Sequence, residues 1–143
     1  MNTVTPKQPF EIELHLPVKT YDIDFAGVVS NIVYIRWLED LRLEMLARYF
    51  PLDELLKNGI APVIVQTKID YKQSIRLSDQ SNGKMWIKTM GALRWIVNAE
   101  IFVNGEVAAL GEQVGIFVDL QNHKPVRMPE GLRQKHREFI QPA

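Results

Sequence analysis

Two acids, a glycine and an asparagine stand close together in the stretch YDIDFAGVVSN, residues 21–31, directly before a long apolar segment. Asp24 precedes Gly27 by three residues and Asn31 by seven. Gly27 tolerates the backbone angles of a tight turn, and Ser30 or Asn31 is suited to begin a helix. A helix start leaves backbone N–H groups unpaired and carries partial positive charge. A carboxylate beside such donors could hydrolyse an activated acyl group, because the N–H groups would stabilise its carbonyl oxygen.

The same residue types also have a purely structural interpretation. An Asp before a helix is most often a cap or a turn residue, and Asp22 fits a solvated or turn-stabilising acid better than a catalytic one. Glu39 lies two turns into the predicted helix and is a second candidate acid, although an exposed surface position suits it better. Tyr34 fits either a substrate pocket or the helix core. The residues alone therefore leave both roles of Asp24 open.

The composition narrows the classes of function. The 143 residues include 17 Lys and Arg and 17 Asp and Glu, so nothing draws the whole molecule to nucleic acid or to an anionic membrane. The absence of Cys excludes thiolate nucleophiles and Cys-ligated metals, and the three His are too scattered for a metal site. The sequence starts without an apolar signal core, and no apolar run approaches the ~20 residues of a membrane span. We therefore expect a cytoplasmic protein with no metal site.

Hydrophobic periodicity predicts the elements that position these residues. Residues 10–24 alternate as in a half-buried strand, and a helical stripe runs from Asn31 to about Tyr49. Further apolar residues lie outside that stripe, so this helix should be covered on more than one side. The order predicts an α+β architecture, in which a curved antiparallel sheet wraps around the central helix in a single domain spanning residues 1–143, with 1–9 as a flexible tail. The later elements are strands over 61–77, 84–103 (with a kink or bend at Gly91) and 106–120, a hairpin at Asn104–Gly105, and a helix over 129–140.

Residues 21–42, YDIDFAGVVSNIVYIRWLEDLR, resemble the signature of the 4-hydroxybenzoyl-CoA thioesterase family of hotdog-fold proteins. Acyl-CoA thioesterases of this family show an Asp-x-Asp-x-Ala-Gly-[Val/Ile]-Val opening, then a Tyr and an aromatic-x-acid pair on the helix. Weaker similarity covers residues 69–79, 91–102 and 114–129. The positions that match without a gap are Asp22, Asp24, Ala26, Gly27, Val28, Val29, Tyr34, Trp37 and Glu39.

The resemblance implies a hotdog fold that hydrolyses an acyl-CoA thioester. Asp24 matches the catalytic carboxylate, which acts as nucleophile or as general base, and Asn31 matches the helix-start position whose backbone N–H polarises the thioester carbonyl. Gly27 and Val28 would let the acyl chain approach the turn, and Tyr34 would line its pocket. CoA is then part of the substrate rather than a retained cofactor, and acyl carrier protein could replace it. Hotdog proteins pair their protomers with active sites at the interface, so a homodimer or homotetramer is expected.

Two alternatives to hydrolysis are kept, and a departure of the sequence from the family bears on the first of them. Val28 stands where related hotdog sequences often have a His, and none of the three His lies near the motif. A hotdog hydratase or dehydratase would need a His paired with the acid, so this alternative is weaker than hydrolysis. A non-catalytic acyl-CoA-binding module is the other alternative. The side chains that could hold CoA phosphates share a positive charge and are Lys72, Arg76, Arg94 and Lys124.

Overall fold

The computed structural model describes residues 8–140 of the chain. Residues 1–7 of the predicted tail lie outside the described residues, and the carbonyl of Pro9 accepts a hydrogen bond from the Ile87 N–H at 2.8 Å. The elements are β1 (Ile12–His15), a short 3-10 helix (Thr20–Asp22), α1 (Asn31–Tyr49), α2 (Leu52–Lys57), β2 (Ile60–Tyr71), β3 (Ser81–Met90), β4 (Arg94–Val103), β5 (Glu106–Asp119), β6 (Pro125–Val126) and α3 (Glu130–Ile140).

The strands form one antiparallel sheet in the order β1-β3-β4-β5-β2, and β6 pairs with the end of β5. β1 and β2 therefore occupy opposite edges, and α1 carries the chain from one edge to the other. Both edges contain a proline that a central strand would exclude, because proline cannot donate to a neighbouring strand. Pro17 follows β1, and Pro62 lies within β2.

α1 packs across the sheet with the predicted stripe inward. Leu38 and Leu41 are 1% and 0% exposed. Glycines on two strands let the helix come close, because a Cβ at Gly83 would stand 3.0 Å from Leu41 and one at Gly111 would stand 3.2 Å from Leu38. The predicted α+β arrangement, an antiparallel sheet packed on a long central helix, is confirmed.

The structure changes several predicted boundaries. The first strand spans only four of the residues 10–24, because the chain leaves the sheet before Pro17 and forms a 3-10 helix. The strand predicted over 61–77 ends at Tyr71, and Gly91 lies in a tight connection between β3 and β4. The hairpin at Asn104–Gly105 is confirmed, since both residues have positive φ, 49° and 86°.

Several apolar side chains on the outer face of α1 are uncovered among residues 8–140, beside the exposed charges of Arg36, Glu39 and Asp40. Ile32, Ile35 and Leu43 are 58%, 48% and 48% exposed. The expectation that α1 is covered on more than one side is therefore not met within residues 8–140. No helix within residues 8–140 is both long enough and apolar enough to cross a bilayer.

Candidate active site

The Asp24 hairpin, residues 22–30, is a tight turn that leads directly into α1. The Asp24 N–H donates to the Val28 carbonyl at 2.9 Å, and the Gly27 N–H donates to the Asp24 carbonyl at 3.0 Å. Gly27 has a φ of 81°, a conformation that side chains resist. The glycine therefore allows the chain to reverse between the acid and the helix.

The two carboxylate oxygens of Asp24 have different surroundings. Oδ1 accepts the backbone N–H groups of Ala26 at 2.9 Å and Val28 at 3.3 Å. Oδ2 has no hydrogen-bond partner among residues 8–140. One oxygen thus stabilises the turn, and the half-buried side chain keeps the other oxygen available.

The start of α1 supplies unpaired donors beside this hairpin. The Ser30 side chain makes no capping bond, although its carbonyl accepts the Val33 N–H at 2.9 Å. Across the described part of the chain, no hydrogen bond takes up the N–H of Asn31 or of Ile32. Asn31 follows Val28 by three positions, so their Cα atoms are about 10 Å apart at most, and Val28 lies opposite Asp24 in the hairpin. A carbonyl oxygen bound at Asn31 would therefore lie within reach of the carboxylate.

Asp22 has a structural role and does not belong to the reactive set. Its side chain is 6% exposed, and its Oδ2 accepts the Lys19 N–H at 2.9 Å. Its carbonyl accepts the Ser30 N–H at 2.9 Å, which closes the base of the hairpin. Of the two roles expected for it, the structure shows turn stabilisation rather than solvation.

Tyr34 lies in the core beneath the hairpin. It is 2% exposed, and its ring packs edge-on against Tyr71 at 5.0 Å and against Trp37 at 5.4 Å. Burial, followed by the nearby Tyr71, raises the pKa of Tyr34 to about 12, so its hydroxyl remains protonated at neutral pH. Tyr71 in turn donates its hydroxyl to the Asn31 carbonyl at 3.2 Å, which ties the end of β2 to the start of α1.

The candidate cations separate into two groups. The Val29 N–H donates to the Ile75 carbonyl at 2.8 Å, which holds the loop over residues 72–80 against the hairpin. Lys72 and Arg76 lie in this loop and are exposed. Arg94 begins β4, where it is paired with Ile116 near the end of β5, and Lys124 lies in the loop that follows β5. Only the first pair is therefore placed near Asp24.

A cavity of about 420 Å³ lies between the second half of α1, α2 and β2, and we call it the α1–β2 cavity. The sequence did not predict this cavity. Its lining is almost wholly apolar, and Glu39 and Arg42 are its charged members. The apolar lining includes Leu46, Phe50, Ile64, Val97, Phe117 and Leu132.

Trp95 forms part of the wall of this cavity, and Gly115 provides the space for its ring. The two residues are paired across β4 and β5, and a Cβ at Gly115 would stand 2.0 Å from the Trp95 indole. The Trp95 Nε1–H is buried and has no acceptor among the described residues. The pairing of Trp95 with Gly115 could have indicated the cavity. That pairing is visible only once the register between β4 and β5 is known.

Arg42 lines the cavity, and its guanidinium forms a hydrogen bond with the side chain of Gln113. Nη1 donates to Oε1 of Gln113, and Nε2 of Gln113 donates to Oγ1 of Thr67 at 3.0 Å. Burial lowers the pKa of Arg42 despite the favourable charge of nearby Glu39. Glu39 itself is exposed, and besides this cavity it lines a second cleft together with Asp22 of the hairpin. Within residues 8–140, no group of three His, Asp or Glu side chains is arranged to hold a metal ion.

Comparison with known proteins assigns the chain to a family. Residues 18–136 match the Thioesterase-like superfamily. The chain belongs to this superfamily. A chloroplastic acyl-acyl carrier protein thioesterase of Arabidopsis thaliana is 31% identical over 130 residues, which are 90% of this chain and 68% of that protein. The long-chain acyl-CoA thioesterase FadM of Escherichia coli is 25% identical over 138 residues, 90% of this chain and 99% of that protein.

Solved structures show the same fold. A Thermus thermophilus thioesterase, crystallised with coenzyme A and zinc, is 26% identical with a TM-score of 0.76, covering 89% of this chain and 92% of that one. The DHNA-CoA thioesterase of Staphylococcus aureus is 25% identical with a TM-score of 0.78, covering 91% and 87%. The resemblance noted at residues 21–42, the hotdog fold and the assignment as a thioester hydrolase are thereby confirmed.

Proposed function

We propose that the protein hydrolyses acyl-CoA thioesters and that Asp24 supplies the carboxylate. One observation carries the proposal: Oδ2 of Asp24 is unengaged in a hairpin that leads to the unpaired N–H groups of α1. A carboxylate beside fixed backbone donors is the arrangement that acyl transfer requires. The coenzyme A bound by the Thermus relative supports CoA as the carrier, whereas the Arabidopsis relative acts on acyl carrier protein thioesters.

The reaction has two routes that use the same residues. The thioester oxygen accepts the N–H groups of Asn31 and Ile32, which stabilise the negative charge that develops on it. In one route, Asp24 attacks the carbonyl carbon, CoA leaves as the thiolate, and water cleaves the resulting anhydride. In the other route, Asp24 removes a proton from the water that attacks. Both yield a free acid and the CoA thiol, and neither needs a retained cofactor.

The surface beside the hairpin is suited to the phosphates of CoA. Lys72 and Arg76 are exposed, and neither forms an ion pair with any residue in the 8–140 range. Arg and Lys are the side chains that bind phosphate in proteins. We assign these two residues to CoA binding rather than Arg94 and Lys124, because only the first pair lies in the loop that contacts the hairpin. A cytoplasmic location stays a prediction.

The uncovered apolar surface supports a homodimer. Ile32 and Ile35 of α1 are exposed, and so is Val65, at 51%, on edge strand β2, whose end the Tyr71–Asn31 hydrogen bond joins to the start of α1. An uncovered apolar face and a free strand edge are both surfaces that a second copy of the chain could cover. We expect Ile35→Glu to yield monomers in light scattering, and Leu93→Glu, which changes an equally exposed leucine of the β3–β4 connection, to leave the assembly intact. A native monomer would contradict the proposal.

The deciding experiment measures thiol release from acyl-CoA thioesters by the native protein and by Asp24→Asn. The chain has no Cys, so the protein adds no thiol background. We expect kcat to fall by about 10²–10⁴, whereas Asp53→Asn, at an exposed position of α2, should retain native activity. Full activity in a folded Asp24→Asn protein would remove Asp24 from the mechanism and make Glu39 the next acid to test. No hydrogen bond joins Asp24 to any of the three His, so no observation favours a hydratase.

A further inference from the structure

α1 and β2 connect the Asp24 hairpin to the α1–β2 cavity. At the hairpin end, the Tyr71 hydroxyl at the end of β2 bonds to the carbonyl of Asn31 at the start of α1. At the other end, Leu46 of α1 and Ile64 of β2 both line the cavity. The two elements therefore lie antiparallel: the end of β2 is beside the start of α1, and both elements reach the cavity. An acyl chain that starts at the unpaired N–H groups and follows α1 would pass the Tyr34–Tyr71 ring pair before it reaches the cavity.

Of the two charged residues that line the cavity, Glu39 is exposed and Arg42 is held by a hydrogen bond. The Arg42 guanidinium is turned to Gln113, which is 2% exposed and also bonded to Thr67. Long cationic side chains commonly cover apolar surface with their stems while the head group is bound elsewhere. A hydrocarbon entering the cavity would meet the stem of Arg42 without displacing an ion pair, since Arg42 forms none within residues 8–140.

The distance along α1 sets a minimum length for an acyl group that reaches the cavity. The lining begins at Glu39, eight residues after Asn31, which corresponds to about 12 Å of helix at ~1.5 Å per residue. A fully extended polypeptide advances about 3.3 Å over the three backbone bonds of each residue, which is roughly 1.1 Å per bond. We use the same advance per bond for an extended acyl chain. About ten carbons therefore separate a thioester held at Asn31 from the edge of the cavity.

The cavity has room for the remainder of a long chain. Its volume of about 420 Å³ corresponds to roughly fourteen groups of water size, at ~30 Å³ each. An acyl chain of sixteen carbons would bring about six carbons into it. The walls are aliphatic and aromatic, so each methylene that leaves water for the cavity should raise kcat/KM about threefold to fourfold.

We propose that the preferred substrates carry long, unbranched acyl chains whose far end occupies the α1–β2 cavity. This inference rests on the proposed hydrolysis at the Asp24 hairpin and names its substrate class. It assigns chemistry to one end of α1 and chain-length selection to the other.

The test is a chain-length profile measured with straight-chain acyl-CoA thioesters from butanoyl to octadecanoyl, together with benzoyl-CoA. We expect kcat/KM to change little up to about decanoyl and to rise with each added pair of carbons from there to octadecanoyl. A maximum at butanoyl or hexanoyl, or faster hydrolysis of benzoyl-CoA than of any straight-chain substrate, would overturn the proposal.

Variants that fill the cavity test whether the dependence of kcat/KM on chain length arises there. Ala61 lines the cavity from β2, and Ala61→Phe should selectively lower kcat/KM for chains of dodecanoyl length and above. Ala47→Phe, at an exposed position of α1 outside the lining, should keep the native profile. If Ala61→Phe does not fold, Leu56→Trp fills the cavity from an exposed rim position on α2. An unchanged profile, or an equal loss at every chain length, in a folded cavity variant would overturn the proposal.

A binding measurement separates failure of this inference from failure of the proposed function. If no thioester is hydrolysed, the proposed function fails, and the cavity is then tested with a fluorescent fatty acid that hexadecanoate displaces. Saturable binding that Ala61→Phe weakens at least tenfold and Ala47→Phe leaves unchanged would support the assignment of the cavity. Absence of binding to the native protein would overturn it.

Discussion

The contact between Gly115 and Trp95 predicts a large penalty for a single added methyl group. A Cβ at Gly115 would stand 2.0, 2.1 and 2.4 Å from three atoms of the indole, and Trp95 is only 7% exposed. The ring cannot keep its position, and overpacking of this kind costs about 1–3 kcal/mol. Gly115→Ala should therefore lower Tm by several degrees, at about 3 °C per kcal/mol for a chain of this size. Because Trp95 forms part of the cavity wall, its displacement should also weaken hydrolysis of long-chain thioesters.

Two controls separate this clash from a general effect of removing glycine. Gly111→Ala places a Cβ 3.2 Å from the flexible end of Leu38, so its stability should stay within about 1 kcal/mol of native. In a double-mutant cycle followed by thermal unfolding, Trp95→Leu should cost less stability in the Gly115→Ala background than in the native one, because the clash is gone. If Gly115→Ala is as stable as the native protein, or if the two changes are additive, the packing argument is refuted.

Three further predictions address the hairpin, the carrier and the C-terminal helix. Asp24→Ala should lose about 1 kcal/mol of unfolding free energy relative to Asp24→Asn, since only Asn keeps an acceptor for the two turn N–H groups; equal stability in chemical denaturation would contradict the role of Oδ1. Reversing the charge of Lys72 and Arg76 to Glu should raise KM for acyl-CoA but not for an acyl thioester that lacks phosphates, and added salt should reduce the difference; an equal rise for both substrates would exclude phosphate binding. Burial lowers the pKa of His136, so the neutral form is favoured in the fold. The stabilising contribution of neutral His136 should be complete above the unfolded pKa of ~6.5 and lost as the pH falls towards the folded pKa. The Tm of His136→Phe should therefore depend less on pH between 7.5 and 5 than the Tm of the native protein. An identical pH dependence of the two Tm values would contradict this.

The sequence predicts well the features that depend on neighbouring residues. The turn at Gly27 and the bounds of α1 follow from signals a few residues apart, and the hairpin at Asn104–Gly105 has the same local origin. The first strand was predicted too long, because alternation continues past Pro17 although the chain has already left the sheet. Local patterns therefore identify the elements and the position of Asp24, while the ends of strands depend on which partner strand is present.

The α1–β2 cavity could not be predicted for a different physical reason. Its shape depends on pairs that are distant in sequence, such as Trp95 beside Gly115 and Arg42 bonded to Gln113, 71 residues away. Neither pair has a local signal, because each residue is an ordinary member of its own strand or helix. Only the strand register brings them together.

If both proposals hold, chemistry and selectivity are separable along α1. The hairpin that holds Asp24 is stabilised by its own backbone bonds and by the Ile75 carbonyl, none of which involves the cavity. The α1–β2 cavity begins about 12 Å further along the helix. A change at the hairpin should lower the rate for every acyl chain by the same factor, whereas a change in the cavity should alter the ratio between long and short chains. Within a rigid helix, the distance between these two sites determines which acyl groups gain binding energy from the cavity.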